Sequence, residues 1–333
     1  MELPRCDPQW EGNSDLQITF RLSPSCRFPA GYGNAPPLSV FAQNYKIIRT
    51  YVSRKNNIQK QTEFTLLAQD CIQGMRSHPA ESVDLVVTSP PYNVGVRYPS
   101  YDDHRSAAEY VRWALTWAAQ IKRVLKPNGS FFLNLGAVPS NPLLPYELLV
   151  ELSALFVLQN TFHWIKAIAV ERPSREMVTA GHFQPINSRR FVNNCHEFVF
   201  HLTKSGTTQL DRLSLGVPYA DKSNVNRWAH TNGHDVRCRG NVWFIPYETI
   251  RTRKLERPHP APFPTQLAVN CIKIHGLRPA MVMLDPFLGI GHAALAAKQC
   301  GIAKFIGFDI DSGYVELARK NIESHGVDNR GIG

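Results

Sequence analysis

The fold is decided by residues 282–297, which read VMLDPFLGIGHAALAA. The pattern predicts an apolar strand over 281–284, a turn containing Gly289 and Gly291, and an alanine-rich helix to about Lys298. A strand, a glycine turn and a helix form the nucleotide-binding unit of a doubly wound α/β sheet. Glycine allows positive φ and a close approach of the backbone to a ligand. The stretch therefore predicts an α/β fold with a ligand site at the carboxyl ends of its strands.

A second strand is predicted at 304–309, and it ends in Asp309. An acid about twenty residues after the glycines is placed to hold ribose hydroxyls. The third glycine of the dinucleotide fingerprint is missing and no P-loop Lys-Ser/Thr follows, so a nucleoside without phosphates fits better than a pyrophosphate. S-adenosylmethionine is such a ligand, since it combines adenine, ribose and an amino-acid tail with a sulfonium. A further helix is predicted at 311–322.

The other informative stretch is residues 88–93, which read TSPPYN and follow the apolar residues 83–87. Proline has no N–H to give a strand ladder, so the chain must leave the sheet here. It leaves at the carboxyl edge, where open α/β sheets bind ligands. A hydroxyl, rigid carbonyls and an aromatic ring there suit a flat ring that bears an amino group. Taken alone, the stretch is equally typical of a proline-rich surface turn.

Together the two stretches resemble the amino-methyltransferases of DNA, which methylate the exocyclic nitrogen of cytosine or adenine. The catalytic motif of that family, (Asp/Asn/Ser)-Pro-Pro-(Tyr/Phe), corresponds to Ser89, Pro90, Pro91 and Tyr92. Its cofactor motif, Phe-x-Gly-x-Gly, corresponds to residues 287–291. The catalytic motif comes first, which is the order of the permuted, beta-class members of restriction-modification or orphan systems.

The resemblance covers about residues 64–325 and implies a fold and a cofactor site. The fold is a Rossmann-like doubly wound sheet of the S-adenosylmethionine-dependent methyltransferase type, circularly permuted, with an inserted target-recognition region. Asp70 resembles the acid that reads the cofactor adenine, and residues 259–264 resemble a segment that helps to close the cofactor pocket. The implied cofactor-binding residues are Asp70, Pro264, Thr265, Asp285, Phe287, Gly289, Gly291 and Asp309.

The implied reaction is direct in-line transfer of a methyl group from S-adenosylmethionine to a base flipped out of duplex DNA. In this family a serine at the first motif position favours cytosine N4, whereas Asp or Asn favours adenine N6, so Ser89 favours cytosine. Ser89 Oγ and the Pro90 carbonyl are the predicted acceptors for the amino hydrogens, which localises the nitrogen lone pair. Tyr92 is predicted to stack on the base.

Four other functions compete with cytosine-N4 methylation. Adenine-N6 methylation is the main alternative, and RNA-base methylation uses similar chemistry. Carbon-5 methylation needs a nucleophilic thiol, and no Pro-Cys pair occurs in the chain. A non-catalytic, cofactor-sensing DNA-binding protein would not need both motifs intact.

The charge of the chain suits an anionic partner, because its net charge is +10. Residues 171–257 carry 14 Lys and Arg against 8 Asp and Glu, a net charge of +6. Arginine pairs with guanine edges and also with phosphates. The residues predicted to contact DNA are Arg172, Arg175, Arg189, Arg190, Arg227, Arg237 and Arg239.

Four segments are predicted along the chain. They are an N-terminal arm or extension (1–63), the catalytic half of the methyltransferase domain (64–204), the target-recognition region (205–257) and the cofactor-binding half (258–333). The other predicted elements are a helix at 106–124, a turn at 126–129, a strand at 130–135, a helix at 146–158, and strands at 162–170 and 197–203. Residues 98–104 are predicted to be a loop that either closes over the flipped base or is an ordinary surface loop.

Other expectations concern location and partners. No run of eighteen apolar residues occurs, so no membrane span is predicted. The seven cysteines are scattered and indicate reduced thiols, which favours a cytoplasmic, nucleoid-associated protein. The predicted partners are double-stranded DNA and a cognate restriction endonuclease, with the chain a monomer or homodimer. No metal is predicted, since His230, His234 and Cys238 lack an obvious fourth ligand.

Overall fold

A computed structural model describes residues 61–324 except 94, 97, 99, 182–187, 224, 226, 232 and 247–262. The predicted N-terminal arm, apart from its last three residues, lies outside the described residues. So do positions 259–262 of the predicted pocket-closing segment and the end of the predicted target-recognition region.

Among the described residues, eight strands form the main sheet, in the order β1-β10-β9-β2-β3-β7-β4-β8. The first five in that order are parallel, whereas β7 is antiparallel to both of its neighbours. The remaining pair, β5 and β6, forms a separate antiparallel hairpin. The bounds are β1 Glu63–Ala68, β2 Val83–Thr88, β3 Leu125–Leu135, β4 Val157–Ile165, β5 Ala167–Glu171, β6 Met177–Gly181, β7 His196–Thr203, β8 Val242–Phe244, β9 Val282–Asp285 and β10 Lys304–Asp309.

Helices cover both faces of this sheet. Their bounds are α1 Cys71–Arg76, α2 Ala107–Val124, α3 Leu144–Leu152, α4 Thr265–His275, α5 His292–Cys300 and α6 Ser312–Ser324. The core on one face contains buried residues of α1, α2 and α3, and the core on the other contains those of α4, α5 and α6. All six residues of β2 are buried, as expected for a central parallel strand. The predicted doubly wound α/β class is confirmed.

The best-predicted helix is α2. Ser106 caps it, and Glu109 reaches back to the cap backbone in a complete capping box. Tyr110, Trp117 and Ile121 recur at helical spacing and are fully buried. This helix therefore forms because one apolar stripe matches the sheet face beneath it.

Three local predictions were wrong. The predicted turn at 126–129 lies inside β3 as a bulge, since Val83 pairs with Leu125 but Leu85 pairs with Ser130. The predicted helix at 146–158 ends at Leu152, and its predicted last residues, from Val157, pair with β7 instead. The predicted strand at 162–170 is two strands, one in the main sheet and one in the hairpin. In each case pairing with a distant strand overrides the local pattern.

Within the described ranges, no helix has the length and apolarity needed to cross a membrane.

Candidate active site

The two motifs meet because β2 and β9 are adjacent parallel strands, with Leu85 beside Met283. Both strands end at the same edge of the sheet, so residues 88–93 and 285–291 leave it side by side. A hydrogen bond joins them there, with Thr88 Oγ1 donating to Asp285 Oδ1 at 2.6 Å. Stretches that are separated by 197 residues along the chain thus build one site.

A pocket of about 310 Å³ opens at this edge of the sheet. All four residues of the predicted catalytic motif line it. Of the predicted cofactor residues, three also line it. The members of the two sets in the pocket wall are Ser89, Pro90, Pro91, Tyr92, Asp70, Phe287 and Asp309.

The other predicted cofactor residues lie behind this wall. Asp285 is fully buried, and Gly289 donates its N–H to Asp309 Oδ2 at 2.8 Å. Gly291 has a φ of 87° at the start of α5, and a Cβ there would lie 2.8 Å from Ala318 Cβ. Only glycine fits that position. These residues lie behind the part of the pocket wall formed by Asp70, Phe287 and Asp309, which we call the cofactor side. Direct contact with a ligand stays a prediction for them.

Pro264 and Thr265 begin helix α4. The preceding residue, Phe263, is buried, and its carbonyl lies 2.5 Å from His292 Nδ1. This contact ties the start of α4 to the start of α5. Neither Pro264 nor Thr265 lines the pocket, and their role toward the cofactor stays a prediction.

The cofactor side of the pocket is acidic. Burial raises the pKa of Asp285 to about 7, even though Thr88 and the Phe287 N–H donate to its Oδ1. No described donor reaches its buried Oδ2. Burial also raises the pKa of Asp309, which accepts backbone N–H groups of Gly289 and Asp311. Carboxylates that are costly to ionise here would be stabilised by a positively charged ligand.

Asp70 is placed differently from these acids. It caps helix α1, and its Oδ1 accepts the N–H groups of Ile72 and Gln73, each at 3.0 Å. Both bonds use one oxygen, while the residue lines the pocket. A helix cap accounts for this acid by itself, so its contact with adenine stays a prediction.

The part of the pocket wall formed by residues 89–92, which we call the catalytic side, contains a polar network that the sequence did not predict. Ser89 Oγ lies 2.8 Å from the Tyr92 hydroxyl, which donates to Glu197 Oε2 at 3.0 Å. Asn134 Nδ2 donates to the same carboxylate oxygen at 2.7 Å, and Lys166 Nζ lies 3.0 Å from Glu197 Oε1. Burial, reinforced by Glu197, raises the pKa of Tyr92 well above its ordinary range.

A sequence signal for part of this network exists. Asn134 is a polar residue inside the otherwise apolar run 131–135, and it is 3% exposed. Buried polar side chains need partners, so an asparagine in a central strand marks a polar neighbour. The sequence does not say which residue that neighbour is.

The loop after the catalytic motif forms an aromatic wall of the pocket. Tyr98 and Tyr101 of the loop line the pocket beside Trp113 of α2, and the Tyr101 ring lies 5.5 Å from that of Trp113. Asp103 fixes the base of the loop, accepting the N–H groups of Asn93 at 2.8 Å and of Val96 at 3.0 Å. Asp102 also lines the pocket, whereas His104 does not. Closure over a base stays a prediction for this loop.

The wall also reaches the cofactor side, where Ser100 Oγ donates to Asp311 Oδ2 at 2.8 Å. Tyr110, from α2, donates its hydroxyl to the Pro91 carbonyl at 2.8 Å. These two bonds hold the loop and the proline pair in place.

The predicted DNA-binding arginines are all exposed, and none lines the pocket. Arg172 and Arg175 belong to the β5–β6 hairpin region, where Arg172 pairs with Glu176 at 2.9 Å. Arg239 Nε donates to the Leu215 carbonyl at 3.1 Å. The other exposed arginines of the set are Arg189, Arg190, Arg227 and Arg237. Their contact with DNA stays a prediction.

Among the residues that the structure describes, no group of three or more His, Cys, Asp or Glu could hold a metal ion. Cys71, Cys195, Cys238, Cys271 and Cys300 are free thiols.

Two named relatives are similar to the chain over most of their lengths. The chain is 29% identical to type II methyltransferase M.ScaI of Streptomyces caespitosus, over 86% of this chain and 92% of the relative. It is 25% identical to DNA adenine methyltransferase YhdJ of Escherichia coli K12, over 78% of this chain and 84% of the relative.

Solved structures share the fold. PvuII DNA methyltransferase (cytosine-N4-specific) is 22% identical, with a TM-score of 0.58 over 82% of this chain and 89% of that one. The DNA modification methylase TTHA0409 of Thermus thermophilus, complexed with S-adenosyl-L-methionine, is 22% identical, with a TM-score of 0.52 over 78% and 93%. The family described as DNA methylase, of the N6/N4 methyltransferase type, matches residues 83–320. The chain therefore belongs to this DNA methylase family.

Proposed function

We propose that the chain transfers a methyl group from S-adenosylmethionine to N4 of cytosine in duplex DNA. The observation that carries this proposal is one pocket shared by Ser89, at the end of β2, and the acid-lined cofactor motif, at the end of β9. The serine at the first motif position favours cytosine within the family. The fold shared with a cytosine-N4-specific enzyme supports the same atom.

The cofactor side fits a nucleoside that carries positive charge. Asp285 contributes a buried oxygen without a described donor, and Asp309 a second, partly buried carboxylate. We assign Asp309 to the ribose, Asp70 to the adenine and Phe287 to the pocket wall beside them. Pro264, Thr265, Gly289 and Gly291 shape the surrounding backbone. When bound, S-adenosylmethionine supplies an electrophilic methyl group.

The catalytic side prepares the acceptor nitrogen. An exocyclic amino group is a poor nucleophile because its lone pair is delocalised into the ring. Ser89 Oγ and the Pro90 carbonyl each accept one amino hydrogen, which localises that lone pair. Tyr92 provides a ring against the base, and the wall of Tyr98 and Tyr101 excludes water.

Adenine N6 is the second candidate, because the family includes both nitrogens and one named relative is an adenine methyltransferase. Incubation with defined duplexes, followed by mass spectrometry of the nucleosides, separates the two. We expect N4-methylcytosine. N6-methyladenine as the sole product would overturn the cytosine assignment. Competition between duplex DNA and structured RNA tests the RNA alternative.

The same proposal includes the DNA contacts and the partners. We assign the target-recognition region to residues 205–257, between the catalytic half and the cofactor half. The seven exposed arginines contact bases or phosphates, which their positive charge and exposure support. We also propose that the chain is a monomer or homodimer and that it has a cognate restriction endonuclease as a partner. Sequencing of methylated genomic DNA would give the recognition site.

A further inference from the structure

We propose that Glu197 is a positioning residue that fixes the direction of the hydrogen bond at Ser89, so that Ser89 presents only acceptor lone pairs to the pocket. The inference rests on the proposed function, in that the substrate is an exocyclic amino group. It adds a reason for the choice of an amino group over a carbonyl.

The residues of the network come from four separate parts of the fold. Tyr92 follows β2, Asn134 lies near the end of β3, Lys166 lies between β4 and β5, and Glu197 lies at the start of β7. The side chain of Glu197 is 13% exposed and that of Lys166 is 21% exposed. Because the network is largely withdrawn from solvent, its directions are set by its own members.

Glu197 is the fixed end of the chain of hydrogen bonds. A carboxylate can only accept hydrogen bonds, and that of Glu197 forms an ion pair with Lys166 at 3.0 Å. Its Oε2 accepts from the Tyr92 hydroxyl at 3.0 Å and from Asn134 Nδ2 at 2.7 Å. The one hydroxyl proton of Tyr92 is therefore committed to Glu197.

The direction at Ser89 follows from this commitment. Ser89 Oγ and Tyr92 Oη are 2.8 Å apart, and one of them must donate. Since the proton of Tyr92 points to Glu197, the donor is Ser89. Asn134 Nδ2, 2.5 Å from Tyr92 Oη, cannot accept and so does not change this direction. The proton of Ser89 thus points away from the pocket. Its Oγ also receives a long contact of 3.4 Å from Asn134 Nδ2 and keeps one lone pair for the substrate.

This polarity discriminates between functional groups of bases. The amino groups of cytosine and adenine donate two hydrogens and match an acceptor at Ser89. The carbonyl oxygens of thymine and guanine would place one acceptor against another, which is unfavourable. Glu197 therefore selects for an amino group without touching the base.

The test is the substitution Glu197→Gln. The glutamine amide can donate to Tyr92, which frees the Tyr92 proton for Ser89 and turns the Ser89 proton toward the pocket. We expect the single-turnover rate of methyl transfer to fall by about 100-fold, as when one preorganised hydrogen bond is lost. The dissociation constants for DNA and S-adenosylmethionine should change by less than about twofold, because the defect is in the chemical step.

A second substitution separates polarity from a general structural defect. Tyr92→Phe removes the hydroxyl that transmits the polarity and should slow transfer by only about threefold to tenfold. Introduced into Glu197→Gln, it should raise the rate above that of Glu197→Gln alone. Loss of folding would not predict such a rescue. Glu81→Gln, which breaks the exposed pair with Lys204, is the matched control and should leave the rate unchanged.

Four results would overturn the inference. One is a wild-type rate in Glu197→Gln, and another is a further loss of activity when Tyr92→Phe is added. If the wild-type protein methylates no exocyclic amino group, the proposed function fails and the inference fails with it. If thermal unfolding shows that Glu197→Gln does not fold, the same rates are measured in Glu197→Asp, where a loss that Tyr92→Phe does not relieve contradicts the inference.

Discussion

Strand β3 carries two buried polar residues on one face, and they belong to networks of different kinds. Ser130 lies 2.9 Å from His201 Nε2 and 2.9 Å from His275 Nδ1, and Arg278 lies 2.7 Å from the far nitrogen of His275. Four residues along the strand, Asn134 joins the network behind Ser89. Both networks are built from polar side chains, but only the one behind Ser89 includes residues that line the pocket.

The serine and the two histidines of the Ser130 network are sealed from solvent. Ser130, His201 and His275 are each at most 3% exposed, and none of them lines the pocket. Burial lowers the pKa of His201 to about 3 and that of His275 to about 4, so both are neutral near pH 7. The network behind Ser89 instead reaches the pocket wall. A serine beside a histidine is therefore structural here, and access to a pocket is what separates the two roles.

The largest expected effect sharpens this contrast at the two serines. Ser89→Ala should lower the single-turnover methylation rate by about 100-fold to 1,000-fold, because a hydrogen-bond acceptor for the amino group is lost. Its free energy of unfolding should change by less than about 1 kcal/mol. Ser130→Ala should do the reverse, destabilising the protein by about 1–3 kcal/mol with little effect on the rate. Equal rates for Ser89→Ala and wild type would break the comparison.

The next effect concerns Asp285, a buried acid whose folded pKa of about 7 lies above its ordinary value of 3.8. The folded state then holds a proton that the unfolded state releases, so stability falls as pH rises from about 4 to about 7. The loss reaches up to about 4 kcal/mol above that window. The free energy of unfolding, measured with urea at pH 5.5 and pH 8, should differ less between the two pH values in Asp285→Asn than in the wild type.

Asp285 also predicts a pH dependence of cofactor binding. A cationic ligand favours the ionised acid, so the affinity for S-adenosylmethionine should rise by about tenfold as pH increases through 7. Isothermal titration at several pH values measures this. The increase should vanish in Asp285→Asn, and an unchanged increase there would assign it to another group.

The histidines of the Ser130 network have an effect of the opposite sign on stability. Their folded pKa values lie below the ordinary value of 6.5, so the unfolded state binds protons that the folded state does not. Their stabilisation is complete above pH 6.5 and falls as pH is lowered toward 4 and 3. At pH 5 the loss should be about 2 kcal/mol per histidine. In His201→Gln, the free energy of unfolding should fall less steeply as pH is lowered below 6.5. An unchanged pH dependence would show that other groups cause the loss of stability.

The smallest effect is expected outside both networks, at the exposed arginines. Arg237→Ala should weaken DNA binding by about 1 kcal/mol. It should also reduce the slope of log K against log salt concentration by about 1, the value expected for one lost phosphate contact. Arg172→Ala should weaken it less, because Arg172 already pairs with Glu176. Fluorescence anisotropy at several salt concentrations measures both. A larger effect for Arg172 would point to the hairpin as the main contact.

Much of the fold and part of the site followed from the sequence. The strand and glycine turn at 282–291 predicted the α/β class, and the prolines after Thr88 predicted where the chain leaves the sheet. Membership of the DNA methylase family confirms the resemblance carried by these two stretches. These features were readable because each depends on a few consecutive residues with restricted backbone conformations. The turn at 126–129 was mispredicted because its proline and glycine fit a bulge as well as a turn.

By itself, the sequence determined the family, the order of its motifs and the serine that we propose faces the substrate. Only the tertiary structure brought Asn134, Lys166 and Glu197 to Tyr92, since they are separated along the chain by up to about a hundred residues. Local patterns report which residues a strand buries, whereas hydrogen-bond partners are set by which strands lie side by side. The direction of the Ser89 hydroxyl is therefore a property of the assembled sheet.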